Sequence, residues 1–129
     1  GYYRYKNNNP NSNRGFYNAH NAVKDLRSTG GIKATGTVTN APKGRSIVNV
    51  NEHAFYNMEK RDITLETAQK FVDKAVFALK QLKGKQYVFY SSKGYAVLDK
   101  DGLLTSVGYL DEGGKILYEE IMKYAGNSK

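Results

Sequence analysis

The sequence predicts an α+β domain, with N-terminal helices packed on a curved antiparallel β-sheet and a closing C-terminal helix. Three observations carry this. Apolar residues recur at helical spacing from Leu65 to Leu82, and three short tyrosine-rich segments separated by turn signals fill 86–109. A second helical pattern, Ile116 to Tyr124, comes after them. Helices grouped before and after a run of consecutive strands belong to the α+β class, with the helices expected on one face of the sheet.

Residues 1–15, GYYRYKNNNPNSNRG, lack periodicity and read as a flexible basic, tyrosine-rich arm or linker, leaving 16–129 as a single domain. Phe16 to Ser28 forms a short helix with Phe16, Ala19, Val23 and Leu26 on one side, stopped by Thr29-Gly30-Gly31. Residues 32–40 alternate weakly, as an edge strand does. Pro42-Lys43-Gly44-Arg45 is a basic turn, and Ser46 to Val50 a short strand.

Asn51 is placed to cap a helix that carries His53 in its first turn, with Ala54, Phe55 and Met58 facing the core. Arg61-Asp62 closes it, and Thr64 caps the next helix. There Leu65, Ala68, Phe71, Val72, Ala75, Val76, Leu79 and Leu82 form one apolar stripe that ends at Gly84. Gln86–Ser91, Gly94–Asp99 and Leu103–Tyr109 are the strands, joined by Ser92-Lys93-Gly94 and Lys100-Asp101-Gly102. Such short connections make the pairing antiparallel. Asp111 to Gly114 is a loop, and the last helix turns Ile116, Leu117, Ile121 and Tyr124 inward.

A chain of 129 residues, 40% hydrophobic and 25% charged, suffices for one globular core. No apolar run reaches the roughly 18 residues of a membrane span. No charged-then-apolar leader is present, and the start at Gly1 rather than a methionine suggests a fragment or a processed form. With no cysteine, disulfides and thiolate chemistry are excluded. The formal charge of +8 is uneven: residues 1–61 hold ten cations, including all five arginines, against three acids, while 62–129 hold ten against nine. Arginine presents a planar fork of donors that suits phosphate, so the first half is the expected polyanion face.

Neither HExxH, an EF-hand loop, a phosphate-binding P-loop nor a G-x-S-x-G elbow occurs, so neither metal nor cofactor is expected. What remains is general acid–base work on a phosphodiester. RNA carries its own nucleophile in the 2′-hydroxyl; an enzyme adds a base, an acid and cations around the phosphorane. Imidazole titrates near neutrality and suits proton transfer. The residues available are His53, with Lys60, Arg61, Arg45 and Lys43 as cations and Thr105, Ser106, Tyr90 and Tyr109 as hydroxyls. His20, on its short helix, reads as an exposed surface residue.

Residues 53–64, HAFYNMEKRDIT, resemble the H-A-x-x-R-M-x-x-R-G-I-T motif of the barnase–EndoU–colicin–RelE-like (BECR) nucleases. The likeness runs through 46–110, including AVLDKDGLLT, which is similar to that family's strand, D-x-x-G, strand-ending-in-Thr pattern. By this resemblance His53 matches the family histidine, Arg61 its second basic position and Thr105 its strand hydroxyl. Asn57 stands where the first arginine is usual, with Lys60 or Arg45 as the compensating cation, and Asp62 where glycine is usual.

The resemblance implies a metal-independent endoribonuclease toxin, with transfer RNA among its substrates and 2′,3′-cyclic phosphate ends as products. It would use His53, Thr105, Arg61 and Tyr109 in catalysis and Lys60, Arg45, Lys43, Tyr90 and Ser106 in substrate binding. It further implies the C-terminal part of a larger bacterial polymorphic, contact-dependent-inhibition or phage-encoded effector, which acts in the target-cell cytoplasm and is neutralised by a cognate immunity protein. The alternative is a non-catalytic RNA- or DNA-binding module that stacks bases on the tyrosines of the arm and strands. A third reading is an adaptor or structural phage domain.

Overall fold

The computed structural model describes Val23 and residues 35–126. The expected arm over 1–15, the helix over 16–28 apart from Val23, and His20 lie outside the described residues. The described fold is α+β: a six-stranded open mixed sheet in the order β1-β3-β4-β5-β6-β2, with three helices. The strands are β1 (Thr37–Thr39), β2 (Asn49–Val50), β3 (Phe77–Gln81), β4 (Gln86–Tyr90), β5 (Gly94–Asp99) and β6 (Leu103–Tyr109). The helices are α1 (Glu52–Arg61), α2 (Leu65–Asp73) and α3 (Glu112–Gly126).

The meander β3-β4-β5-β6 is antiparallel throughout, as short turns require. The sheet departs from the expected all-antiparallel form at one edge, where β2 runs parallel to β6. Only two residues of the predicted Ser46–Val50 strand pair there. The Ile47 N–H goes instead to Gln69 Oε1 on α2, 2.9 Å away, and takes the upstream end out of the ladder.

The largest correction concerns Leu65 to Leu82, predicted as a single helix. It is a nine-residue helix followed by a buried strand. Thr64 caps α2, its hydroxyl accepting from the Thr67 N–H at 3.1 Å. The helix is finished by Lys74, and at Val76 the backbone joins the sheet by donating to the Tyr90 carbonyl. The helical stripe left out Phe77 and Ala78, yet Phe77, Ala78 and Leu79 are all 0% exposed. A strand between two neighbours and covered on both faces buries consecutive residues, which one helical face does not. Leu82, assigned to the stripe, is 66% exposed in the turn Leu82–Gly84.

The helices lie on both faces of the sheet rather than one. Val23, Leu117 and Ile121 share a cluster with Phe77, Leu79, Val88 and Tyr90. Ala54, Ile63, Ala68, Phe71 and Val72 share another with Phe89, Ala96, Leu98, Leu104 and Val107. Strand residues alternate between the two clusters, so α3 covers one face and α1 and α2 the other. Each fully buried Phe, Leu, Ile or Val contributes about 1.5–3 kcal/mol. α3 also begins four residues earlier than Ile116, because Asp111 Oδ1 accepts from the Gly114 N–H (2.8 Å) and holds the first turn.

α1 packs along β6, next to the short edge strand β2. Asn51 Oδ1 accepts from the Ala54 N–H at 2.8 Å, and the Asn51 N–H reaches the Leu104 carbonyl at 3.0 Å. Its far end closes on Asp62 at φ 55°, ψ 50°, where the cap N–H bonds back to Glu59 and Met58. Glycine adopts that left-handed conformation at least cost. Of the three residues expected inward, Ala54 is 0% exposed and Met58 packs on the core, but Phe55 is 55% exposed. With β6 as its main strand partner, α1 buries only a narrow stripe.

Candidate functional site

His53 lies exposed in the first turn of α1. On a helix its neighbours are the residues three, four and seven positions on, namely Tyr56, Asn57 and Lys60. Two contacts join the four in pairs. His53 Nε2 lies 3.2 Å from Asn57 Nδ2. Lys60 Nζ sits 5.8 Å from the centroid of the Tyr56 ring. Asn57 is only 6% exposed, while Tyr56 is 61% exposed. A buried amide thus anchors one ring nitrogen of an exposed imidazole. An amide carries a donor and an acceptor side by side, so it can hold the imidazole in its neutral or its protonated form.

Arg61 is placed differently. Eight residues after His53, it is two turns away, about 12 Å along the axis. Its Nη1 donates to the Val107 carbonyl at 2.8 Å. A Cβ at Gly108 would lie 2.7 Å from Arg61 Nη1, so the glycine makes room for this tether. Arg61 fastens the end of α1 to β6, away from the imidazole.

The strand hydroxyls are dispersed. Thr105 follows Leu104, whose carbonyl receives the Asn51 N–H, so it belongs to the His53 end of α1. It sits at the register shift opposite Val97 and Leu98, with Oγ1 3.4 Å from the Val97 carbonyl. Tyr109 lies toward the Arg61 end, 51% exposed, its ring edge-on to Phe71 at 5.9 Å. Ser106 pairs with Val97, which packs on the α3 side, so it lies on the opposite face from α1. Tyr90 is 6% exposed inside the α3-side core, packed on Phe77 and Tyr95.

Lys43 and Arg45 form a separate group before β2. They line a shallow recess of about 90 Å³ with Pro42, Val72 and Asp73. The Arg45 guanidinium lies 5.7 Å from the Tyr87 ring centroid, and its carbonyl accepts from Gln69 Nε2. A larger concavity, about 660 Å³, opens at the β1–β3 end and is lined by Thr35, Thr37, Lys80, Gln81, Lys83 and Gln86. It contains none of the predicted site residues.

Of the nine site residues expected from sequence, the structure therefore sets His53 and Lys60 on one side of α1, about two turns apart, with Thr105 near the His53 end. Tyr56 and Asn57 were not among them. The signal that finds them is the i, i+3, i+4 spacing from His53 on one helix. Among the described residues, no group of three or more His, Asp or Glu side chains is placed to hold a metal ion, and no helix is long and apolar enough to cross a membrane. Comparison of the chain with protein-family models, with curated proteins and with solved structures gives no match.

Proposed function

We propose that this chain is an endoribonuclease domain of the BECR type that cleaves RNA without a metal, with His53 as its general base. The observation that supports it most is the His53–Asn57 pair. A proton-transfer group stands exposed at a helix start, held from beneath by an amide that is itself buried. A net charge of +8 favours a polyanionic substrate.

In this reading the Asn57 amide presents its oxygen to His53 Nε2–H, which leaves Nδ1 as the basic nitrogen that takes the proton from the ribose 2′-hydroxyl. The O2′ then attacks phosphorus, the P–O5′ bond breaks, and the products are a 2′,3′-cyclic phosphate and a 5′-hydroxyl. Lys60 neutralises the developing phosphorane charge and supplies the proton to the departing oxygen. Thr105 lies near the His53 end of α1 and contributes a hydroxyl to the phosphate. Arg61 and Tyr109 keep the helix and strand in register rather than touching the reacting phosphate. The biological role that fits is a delivered toxin acting on cytoplasmic RNA, transfer RNA included, and held in check by an acidic immunity protein drawn in by electrostatic steering.

The test is incubation of total RNA with the wild-type chain and with His53→Ala, in excess chelator, read on a denaturing gel. Discrete fragments from the wild type alone, ending in cyclic phosphate, are expected. Full cleavage by a His53→Ala variant with native circular dichroism would overturn the assignment of the base. Intact RNA with a salt-dependent mobility shift would instead identify a non-catalytic binding module.

A further inference from the structure

We propose that Tyr56 is a stacking platform for the base of an unpaired nucleotide, so that the His53 site takes single-stranded rather than duplex RNA. The inference rests on the nuclease reading for its substrate, but on different residues. Tyr87, Tyr90, Tyr95, Tyr109 and Tyr118 all pack ring against ring within the fold. Tyr56 has no such partner among the described residues, and 61% of its surface is open. Lys60, at 5.8 Å from the centroid, is its one described neighbour of this kind.

A single exposed tyrosine is ordinary on a protein surface. Its position makes this one informative. It stands three residues after His53 and four before Lys60, one helical turn from each, or about 5.4 Å along the axis. That separation is comparable with the distance from a base to its own phosphodiester. A base laid on the Tyr56 ring therefore brings its phosphate to the ammonium of Lys60 and its ribose toward His53.

The platform selects against duplex for a geometric reason. Inside a double helix both faces of every base are covered by neighbours, and α1 is convex where Tyr56 projects. Only a base already free of its stack can present a face to the ring. Stacking uses the π-face that all bases share, so preference for base identity is expected to be weak.

The experiment uses the full chain and a short 2′-O-methyl oligoribonucleotide, alone or annealed to its complement. The methyl group removes the attacking hydroxyl, so binding is read independently of cleavage. The wild type is expected to bind the single strand more tightly than the duplex. Tyr56→Ala should lose about 10- to 100-fold in affinity for the single strand, whereas Tyr56→Phe should retain it. Circular dichroism establishes that both variants are folded.

Equal affinity of Tyr56→Ala and wild type, preference for the duplex, or no binding to either form would overturn the proposal. The nuclease reading fails separately. Tyr56-dependent binding of the unmodified strand without cleavage would remove that reading and leave the platform, and cleavage with Tyr56-independent binding would do the reverse.

Discussion

Replacing Asn57 by leucine separates what this residue does for the fold from what it does for His53. Asn57 is 6% exposed, and its amide bonds His53 across one turn of α1 at 3.2 Å. Losing a hydrogen bond of this kind costs about 1 kcal/mol. Burying a leucine side chain there returns about 1.5–3 kcal/mol, and the added volume costs about 1–3 kcal/mol in overpacking. The terms nearly cancel, so urea unfolding should place Asn57→Leu within about 1 kcal/mol of wild type. Activity should behave otherwise. With the imidazole free to rotate, kcat/KM for RNA cleavage should fall about 10- to 30-fold, equivalent to about 1.4–2 kcal/mol of transition-state stabilisation. In the His53→Ala background the same substitution should have no further effect on rate, because the amide acts through the ring. Unchanged kcat/KM in a folded Asn57→Leu variant would refute the orienting role. A loss of more than about 2 kcal/mol in stability would show that the amide mainly supports the fold.

Other substitutions test the architecture. Phe77→Ala should cost about 3–5 kcal/mol in chemical denaturation, since Phe77 is fully buried in β3. A change under about 0.5 kcal/mol would fit only a solvent-facing position. Asp62→Gly should stabilise the chain by about 0.5–1 kcal/mol by relieving the φ of 55° at the end of α1, and an unchanged or lowered melting temperature would count against that cap geometry. Arg61→Ala removes the tether to the Val107 carbonyl and should cost about 1–2 kcal/mol, with faster amide exchange along the α1–β6 contact. If instead it abolishes cleavage at unchanged stability, Arg61 belongs with the reacting groups.

Much of this molecule is legible in the chain because the deciding interactions are local. Asn51 and Thr64 cap helices through their own side chains, and the turns at 100–102 and 92–94 dictate antiparallel pairing whatever else surrounds them. His53 stands out through its residue type and its place after a capping asparagine. The failures come from non-local contacts. Leu65 to Leu82 satisfies helical spacing almost to its end, yet Val76 meets the Tyr90 carbonyl, and a place between β1 and β4 makes the strand the better home for Phe77, Ala78 and Leu79. Periodicity alone does not distinguish these outcomes for a continuous apolar run.

The site divides along the same line. Sequence alone identifies the α+β class, the capped helix with His53, the cationic character and the absence of thiol chemistry. The tertiary structure decides which partners His53 keeps. His53 keeps Asn57, with the Tyr56–Lys60 pair on the same helix, whereas β6 draws Arg61 to a backbone carbonyl and the opposite core takes in Tyr90. The physical reason is that a hydrogen-bond donor or an aromatic ring has no fixed role in the chain. Its role depends on whether folding buries it, pairs it with backbone or leaves it facing water, and only distant strands settle that.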